Sequence, residues 1–207
     1  DPAPLSGDQN TTRFMGHPDL NRDYLAEYRH LLKDSQKGVP FFKKSFSFDD
    51  FCNNNDNPDQ KRYVDFLIEN TGEKIPLLQF NRSALRVRRF KEDYPTGVQI
   101  YLVRNPHDQF HSYLSLAEEK NLDIFLVMEL LTAGVNRNCG LYKELAARVP
   151  LFEYHSGCFA DEEFVYRQLL PTYSTGEMYF IFYFTWFRAV IENLLHADLV
   201  LNMDFLS

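Results

Sequence analysis

Arg104 and Ser112 are the residues of this sequence with the clearest arrangement for anion binding. The apolar run at residues 98–103 predicts a buried strand, and Arg104 follows it at once. Pro106 suits the first turn of a helix, and apolar side chains follow at spacings of three and four. Arg104 should therefore lie at the carboxyl end of a strand, and Ser112 on the next helix. A guanidinium and a hydroxyl at such an edge could clamp a phosphate.

The segments around this junction alternate between predicted strands and helices. Residues 75–80 and 98–103 are predicted strands, and the helix between them, at 83–94, should stop before Pro95. Together they would form a βαβ unit with a right-handed crossover. Further helices are predicted at 18–32, 60–70, 106–119, 122–135, 141–147 and 176–196, and a last strand at 198–205. The pattern predicts a helix-rich α/β fold, with a parallel sheet flanked by helices.

The composition indicates one folded domain over residues 1–207, with residues 1–15 loosely ordered. Hydrophobic residues make up 44% of the chain and aromatic residues 15%, so a sizeable core can form. The formal net charge of −7 argues against general nucleic-acid binding. The most apolar segment, MYFIFYFTWF at residues 178–187, is too short to span a bilayer. We interpret it as a buried helix or a partner surface.

The cysteine pattern indicates a reducing compartment. Cys52, Cys139 and Cys158 show no metal-ligand spacing, and no signal peptide is recognisable. We therefore expect ordinary buried thiols and a cytoplasmic location. His107 and His111 are four residues apart on one predicted helix, but no further ligand follows in a recognisable pattern. No metal site is predicted.

The junction between strand and helix resembles a known family motif. Strand-Arg-Asn-Pro-x-Asp-x-x-x-Ser-Tyr, at residues 98–113, is similar to the 3′-phosphate-binding motif of sulfotransferases that use 3′-phosphoadenosine 5′-phosphosulfate (PAPS). In that family the Arg and the Ser both grip the 3′-phosphate, and the resemblance gives these roles to Arg104 and Ser112. It implies a P-loop NTPase-like three-layer sandwich and transfer of a sulfuryl group from PAPS. The acceptor would be a hydroxyl of a carbohydrate or small molecule, and 3′-phosphoadenosine 5′-phosphate (PAP) would be released.

Two further segments extend the resemblance over residues 75–207. LLQFNRSALRV, at residues 77–87, is similar to the strand and helix start that carbohydrate sulfotransferases place before the Arg strand. Gln79 stands where those enzymes commonly have a Lys, and Arg82 is kept, so Arg82 could reach the sulfuryl group or the 5′-phosphate. Residues 184–207 resemble the family's late helix and last strand, with Asp204 in the turn that ends them.

One family element has no counterpart in the sequence. Neither a Gly- or Ser-rich 5′-phosphosulfate loop nor a Walker-type Gly-x-x-x-x-Gly-Lys-Ser/Thr occurs. Either the chain is a fragment with an incomplete sheet, or other residues replace the loop. A partner segment could also supply it.

The sequence also leaves the identity of the catalytic base undecided. Asn81 stands where the cytosolic aryl and steroid sulfotransferases have a catalytic His. Glu27 and His17 are candidates for the base, together with Asp49 and His155. Two functions follow from the resemblance. The chain is either a PAPS-dependent sulfotransferase domain or a non-catalytic sulfotransferase-like domain that binds a nucleotide or a protein partner.

Overall fold

The computed structural model describes residues 30–31, 38–49, 51–52 and 56–205. They belong to two compact units, one from residues 1–44 and 57–79 and the other from residues 45–56 and 80–207. Helices make up 58% of the described chain, and a parallel sheet of two strands completes a loosely α/β architecture. The helix predicted at 18–32 falls almost entirely outside the described residues, and residues 1–15, predicted to be loosely ordered, lie wholly outside them. The single-domain assignment stays a prediction.

The first unit contains helix α1 (Pro58–Glu69), which confirms the helix predicted at 60–70. The side-chain oxygen of Asn57 accepts the backbone N–H of Gln60 at 3.0 Å and caps the helix. Pro58 stands at the first helical position, where no N–H donor is needed. Leu67 is buried on the inner face of α1.

The strand predicted at residues 75–80 is wrong. These residues form no strand, and Ile75 and Leu77 are 95% and 90% exposed. Pro76 removes one of the N–H donors that a hydrogen-bonded ladder requires. The predicted βαβ unit is therefore not formed, and the helix that was expected from residue 83 begins at Val87 instead.

The second unit follows the predicted order of elements from residue 87 onward, with one further helix, at Phe159–Leu169, that the sequence analysis did not delimit. Its elements are α2 (Val87–Asp93), β1 (Ile100–Val103), α3 (Pro106–Lys120), α4 (Ile124–Val135), α5 (Gly140–Ala146), α6 (Phe159–Leu169), α7 (Thr175–His196) and β2 (Leu199–Asn202). The helices predicted at 106–119, 122–135, 141–147 and 176–196 are confirmed. The strands predicted at 98–103 and 198–205 are also confirmed, in shorter form.

Two carboxylates hold the ends of the strand pair, in which β1 and β2 run parallel. Before β2, the Asp198 carboxylate accepts the backbone N–H of Gln99 at 2.8 Å and binds Nζ of Lys91 at 2.6 Å. After β2, the Asp204 carboxylate accepts the backbone N–H of Asn105 at 2.6 Å. The last strand of the chain thus takes the place beside β1 that residues 75–80 were expected to fill.

The core of the second unit centres on α4, which contacts α3, α6 and α7. Val127, Leu131 and Ala133 of α4 are fully buried, and Ile181 and Phe182 of α7 pack into the same cluster. Burial of a large apolar side chain contributes about 1.5–3 kcal/mol. This packing is what holds α3, the helix after Arg104, in place.

The apolar run at residues 178–187 lies inside α7. Ser174 and Glu177 form a capping box, in which each side chain accepts the backbone N–H of the other residue. One face of α7 is buried, whereas Phe187 on another face is 46% exposed. Neither α7 nor any other helix in the described ranges is both long enough and apolar enough to cross a bilayer.

Gly134 is required by the close approach of Tyr166. The Tyr166 hydroxyl accepts the backbone N–H of Tyr154 at 3.1 Å and donates to the carbonyl of Phe152. A Cβ on residue 134 would lie 2.6 Å from the Phe152 carbonyl oxygen and would clash with the Tyr166 hydroxyl. We expect Gly134→Ala to lower the free energy of unfolding by about 1–3 kcal/mol in urea denaturation. In the control Gly176→Ala, the new Cβ meets nothing within 4 Å. An equal loss in both variants would contradict this explanation.

Candidate functional site

Arg104 follows β1 directly, at the carboxyl end of the strand pair. Its side chain is 52% exposed, and its Nε lies 4.0 Å from the Asp204 carboxylate. Its backbone carbonyl accepts the indole N–H of Trp186 at 3.2 Å, which ties the strand end to α7. The backbone of Arg104 is thus held by β1 and by Trp186, whereas about half of its side chain is exposed to solvent.

Helix α3, which carries Ser112, begins where the sequence predicts. The side-chain oxygen of Asn105 accepts the backbone N–H of His107 at 2.9 Å, and Pro106 takes the first helical position. Ser112 is partly buried. Ser112 lies two turns beyond the cap residue Asn105. It is therefore on the same face of α3 as Asn105, about 10 Å further along the helix axis. A ligand that reaches both Arg104 and Ser112 must therefore lie along this face.

Arg82 contacts side chains from several segments of the second unit. Its guanidinium carbon lies 4.4 Å from the ring centroid of Phe48, within the range of a cation–π contact. Its backbone carbonyl accepts a hydrogen bond from the guanidinium of Arg86 at 2.5 Å. Burial lowers the pKa of Arg82, and the neighbouring Glu129 carboxylate opposes that shift. The guanidinium therefore has a negative partner on α4.

Glu129 on α4 is the titratable group that the sequence analysis missed. Its side chain is partly buried, and this burial raises its pKa to about 7, although Arg82 opposes the shift. The carboxyl can therefore accept and release a proton near neutral pH. A signal was present in the sequence, because Glu129 is the only charged residue in the apolar run IFLVMELLTAGV.

Tyr113 on α3 connects Glu129 with both arginines. Its hydroxyl accepts a hydrogen bond from Nε2 of Gln109 at 2.8 Å. Burial and the Glu129 carboxylate raise the pKa of Tyr113, whereas Arg104 and Arg82 lower it. Tyr113 thus interacts electrostatically with Arg82, Arg104 and Glu129, and Arg82 also interacts with Glu129. We call these four residues the Glu129 cluster.

The other candidates for a base have different surroundings. Glu27 and His17 fall outside the described residues. Nδ1 of His155 lies 3.1 Å from the Glu162 carboxylate and 3.8 Å from the Asp49 carboxylate. Glu162 is fully buried and also accepts the backbone N–H groups of residues 156 and 157. His155 and Asp49 therefore belong to a contact that holds a bend in the chain.

The Glu129 cluster combines two functions that group-transfer chemistry needs. Arg82 and Arg104 can attract an anionic ligand, and Glu129 can take up a proton. Within residues 30–31, 38–49, 51–52 and 56–205, no three His, Cys, Asp or Glu side chains are grouped so that they could hold a metal ion.

Comparisons with protein-family models, curated proteins and solved structures gave no match for this chain.

Proposed function

We propose that this chain is a PAPS-dependent sulfotransferase domain that acts on a hydroxyl of a carbohydrate or small molecule. The observation that carries the proposal is the position of Arg104 at the carboxyl end of β1, half exposed and within electrostatic reach of Tyr113, which also interacts with Arg82 and Glu129. Ligands of open α/β sheets bind at this edge. In the proposal, Arg104 and Ser112 hold the 3′-phosphate of PAPS, and Arg82 reaches the 5′-phosphate or the sulfuryl group.

The proposed reaction is an in-line displacement at sulfur. The acceptor oxygen bonds to sulfur while the bond between sulfur and the oxygen of the 5′-phosphate breaks. PAP leaves with the electron pair of that bond, and the proton of the acceptor hydroxyl passes to the Glu129 carboxylate. By analogy with phosphoryl transfer, negative charge spreads over the leaving and peripheral oxygens, where Arg82 would stabilise it. A base whose pKa is about 7 is well matched to this step at neutral pH.

The proposal includes a cytoplasmic location and the three-layer sandwich of sulfotransferases, in which β1 and β2 belong to a larger parallel sheet. Four apolar side chains of the strand pair support a further covering layer, because they are between 36% and 53% exposed: Ile100, Leu102, Leu199 and Leu201. In parallel sheets both faces are normally covered. In the proposal, other residues of the chain take the place of the glycine-rich 5′-phosphosulfate loop.

A non-catalytic domain that binds a nucleotide or a protein partner is the second candidate. The lack of a glycine-rich phosphosulfate loop in the sequence favours it, because such a loop would hold the reacting end of PAPS. Incubation with labelled PAPS and a panel of glycans and small hydroxyl compounds separates the two candidates. Transfer of label by the intact chain would support the enzyme, and binding of PAPS without transfer would support the second candidate.

We expect the chain to bind PAP more tightly than adenosine 5′-monophosphate, because only PAP carries the 3′-phosphate assigned to Arg104. Arg104→Ala should weaken PAP binding by about tenfold or more, since a hydrogen bond to a charged group contributes about 1.5–3 kcal/mol. The same variant should lose the preference for PAP. Isothermal titration calorimetry with both nucleotides measures this difference.

Arg88→Ala is the matched control for this experiment. Arg88 is an exposed arginine of α2 that pairs with Glu92 at 3.8 Å, so its loss should leave both affinities unchanged. The site assignment is refuted if the unmodified chain binds the two nucleotides equally, or if Arg104→Ala keeps the preference for PAP.

A further inference from the structure

Cys52 and Cys139 form a pair of thiols outside the Glu129 cluster. Their side chains are hydrogen-bonded to each other, although four helices separate them along the chain. Both are partly buried and pack against the core, whereas Cys158 is exposed. The expectation of three ordinary buried thiols is therefore corrected, since one cysteine is open to solvent and the other two are in contact.

Both members of the pair line one cavity of about 450 Å³ in the second unit. Asp49, Arg188 and Glu192 also line this cavity, so its wall carries charges of both signs. A cavity of this size is in the range that accommodates small ligands. We therefore expect a small thiol or disulfide to reach the two cysteines from this cavity.

The two thiols differ in how readily they lose a proton. The hydrogen bond from Cys52 lowers the pKa of Cys139 to about 6, with help from the backbone N–H groups of Tyr142 and Leu141 and the charge of Lys143. The same hydrogen bond and burial raise the pKa of Cys52. At neutral pH, Cys139 is thus the nucleophilic thiolate and Cys52 its protonated neighbour. This asymmetry is typical of thiol–disulfide exchange sites.

We propose that Cys139 and Cys52 are a redox-active pair that forms a reversible disulfide by exchange with a low-molecular-weight disulfide such as glutathione disulfide. The Cys139 thiolate attacks one sulfur of the small disulfide, forms a mixed disulfide and releases one small thiolate. Cys52 gives its proton to solvent and attacks the Cys139 sulfur, and the second small thiolate leaves. The chain is oxidised by two electrons, and the small disulfide is reduced to two thiols.

The disulfide would join residues 45–52 to the start of α5. This segment carries Phe48, whose ring lies over Arg82, and Phe46, whose carbonyl accepts a hydrogen bond from Arg86 at 2.8 Å. Oxidation would thus anchor the segment whose Phe48 ring packs on Arg82. Formation of the disulfide does not depend on the proposed sulfotransferase activity, so the two proposals can fail independently.

The test exposes the intact, reduced chain to glutathione buffers of increasing disulfide content and maps its thiols by mass spectrometry. The reduced chain should show three free thiols, and the oxidised chain only that of Cys158. Peptide mapping should join Cys52 to Cys139, the mass should fall by that of two hydrogen atoms, and dithiothreitol should reverse the change.

Two variants sharpen the assignment of roles. Cys158→Ser should oxidise like the unmodified chain, because Cys158 takes no part in the exchange. Cys52→Ser should stop at a glutathione adduct on Cys139, since the resolving thiol is missing. The proposal is overturned if the unmodified chain keeps all three thiols, if its disulfide includes Cys158, or if adducts form without a cross-link. This decision rests on the unmodified chain, so it does not require the variants to fold.

Discussion

Glu129→Gln should nearly abolish sulfuryl transfer while leaving PAP binding intact. The amide is close in shape to the carboxyl but cannot take the proton of the acceptor hydroxyl. General base catalysis contributes about 10²–10⁴-fold, so kcat/KM should fall by about that factor. The measurement uses labelled PAPS with an acceptor found in the panel of hydroxyl compounds, and calorimetry with PAP on the same variant.

The pH dependence gives this prediction an independent readout. Because burial raises the pKa of Glu129 to about 7, kcat/KM of the unmodified chain should rise through that pH as the carboxyl ionises. The residual activity of Glu129→Gln should lack this rise. Glu118→Gln, which changes an exposed carboxyl on α3, is the control for the loss of one charge. Turnover that survives Glu129→Gln at the original rate would exclude Glu129 as the base.

The same substitution should make the folded chain more stable above neutral pH. The pKa of Glu129 is raised from its ordinary value of 4.5 to about 7 in the folded chain. Between these values the folded state binds more protons than the unfolded state, so the free energy of unfolding falls as the pH rises. One pKa unit corresponds to about 1.4 kcal/mol. Above this pH range, the ionised carboxylate therefore lowers the free energy of unfolding by about 3 kcal/mol.

Urea denaturation at about pH 5 and about pH 8 measures this effect. Glu129→Gln should be more stable than the unmodified chain by about 2–3 kcal/mol at the higher pH, with a much smaller difference at the lower pH. Glu118→Gln again corrects for the removal of one negative charge. A stability difference that is the same at both pH values would rule out the raised pKa. Lost activity together with gained stability would mark Glu129 as a residue kept for function.

Local sequence chemistry was sufficient to predict most of the described helices. An Asn cap followed by Pro marks the starts of α1 and α3 at Asn57 and Asn105, and these bonds form within a few residues of the chain. The apolar run in α7 and its capping box at Ser174 are equally local. Arg104 could be placed at a strand end for the same reason, since strand, Arg and helix start are contiguous.

Strands were harder to predict, because a strand exists only where a partner can complete its hydrogen bonds. Residues 75–80 have the apolar character of a strand and yet form none. β1 pairs instead with β2, whose residues lie almost a hundred positions later: Ile100 is opposite Leu199. No local pattern in either segment identifies the other as its partner.

The sequence by itself determined where the helices begin, where Arg104 stands relative to β1, and that no glycine-rich phosphate loop is present. Only the tertiary structure decided that Arg82, Tyr113 and Glu129 come within electrostatic reach of one another, and that Cys52 meets Cys139. The reason is physical. Caps and turns are set by neighbours along the chain, whereas a shifted pKa or a thiol pair depends on burial and on the packing of distant segments.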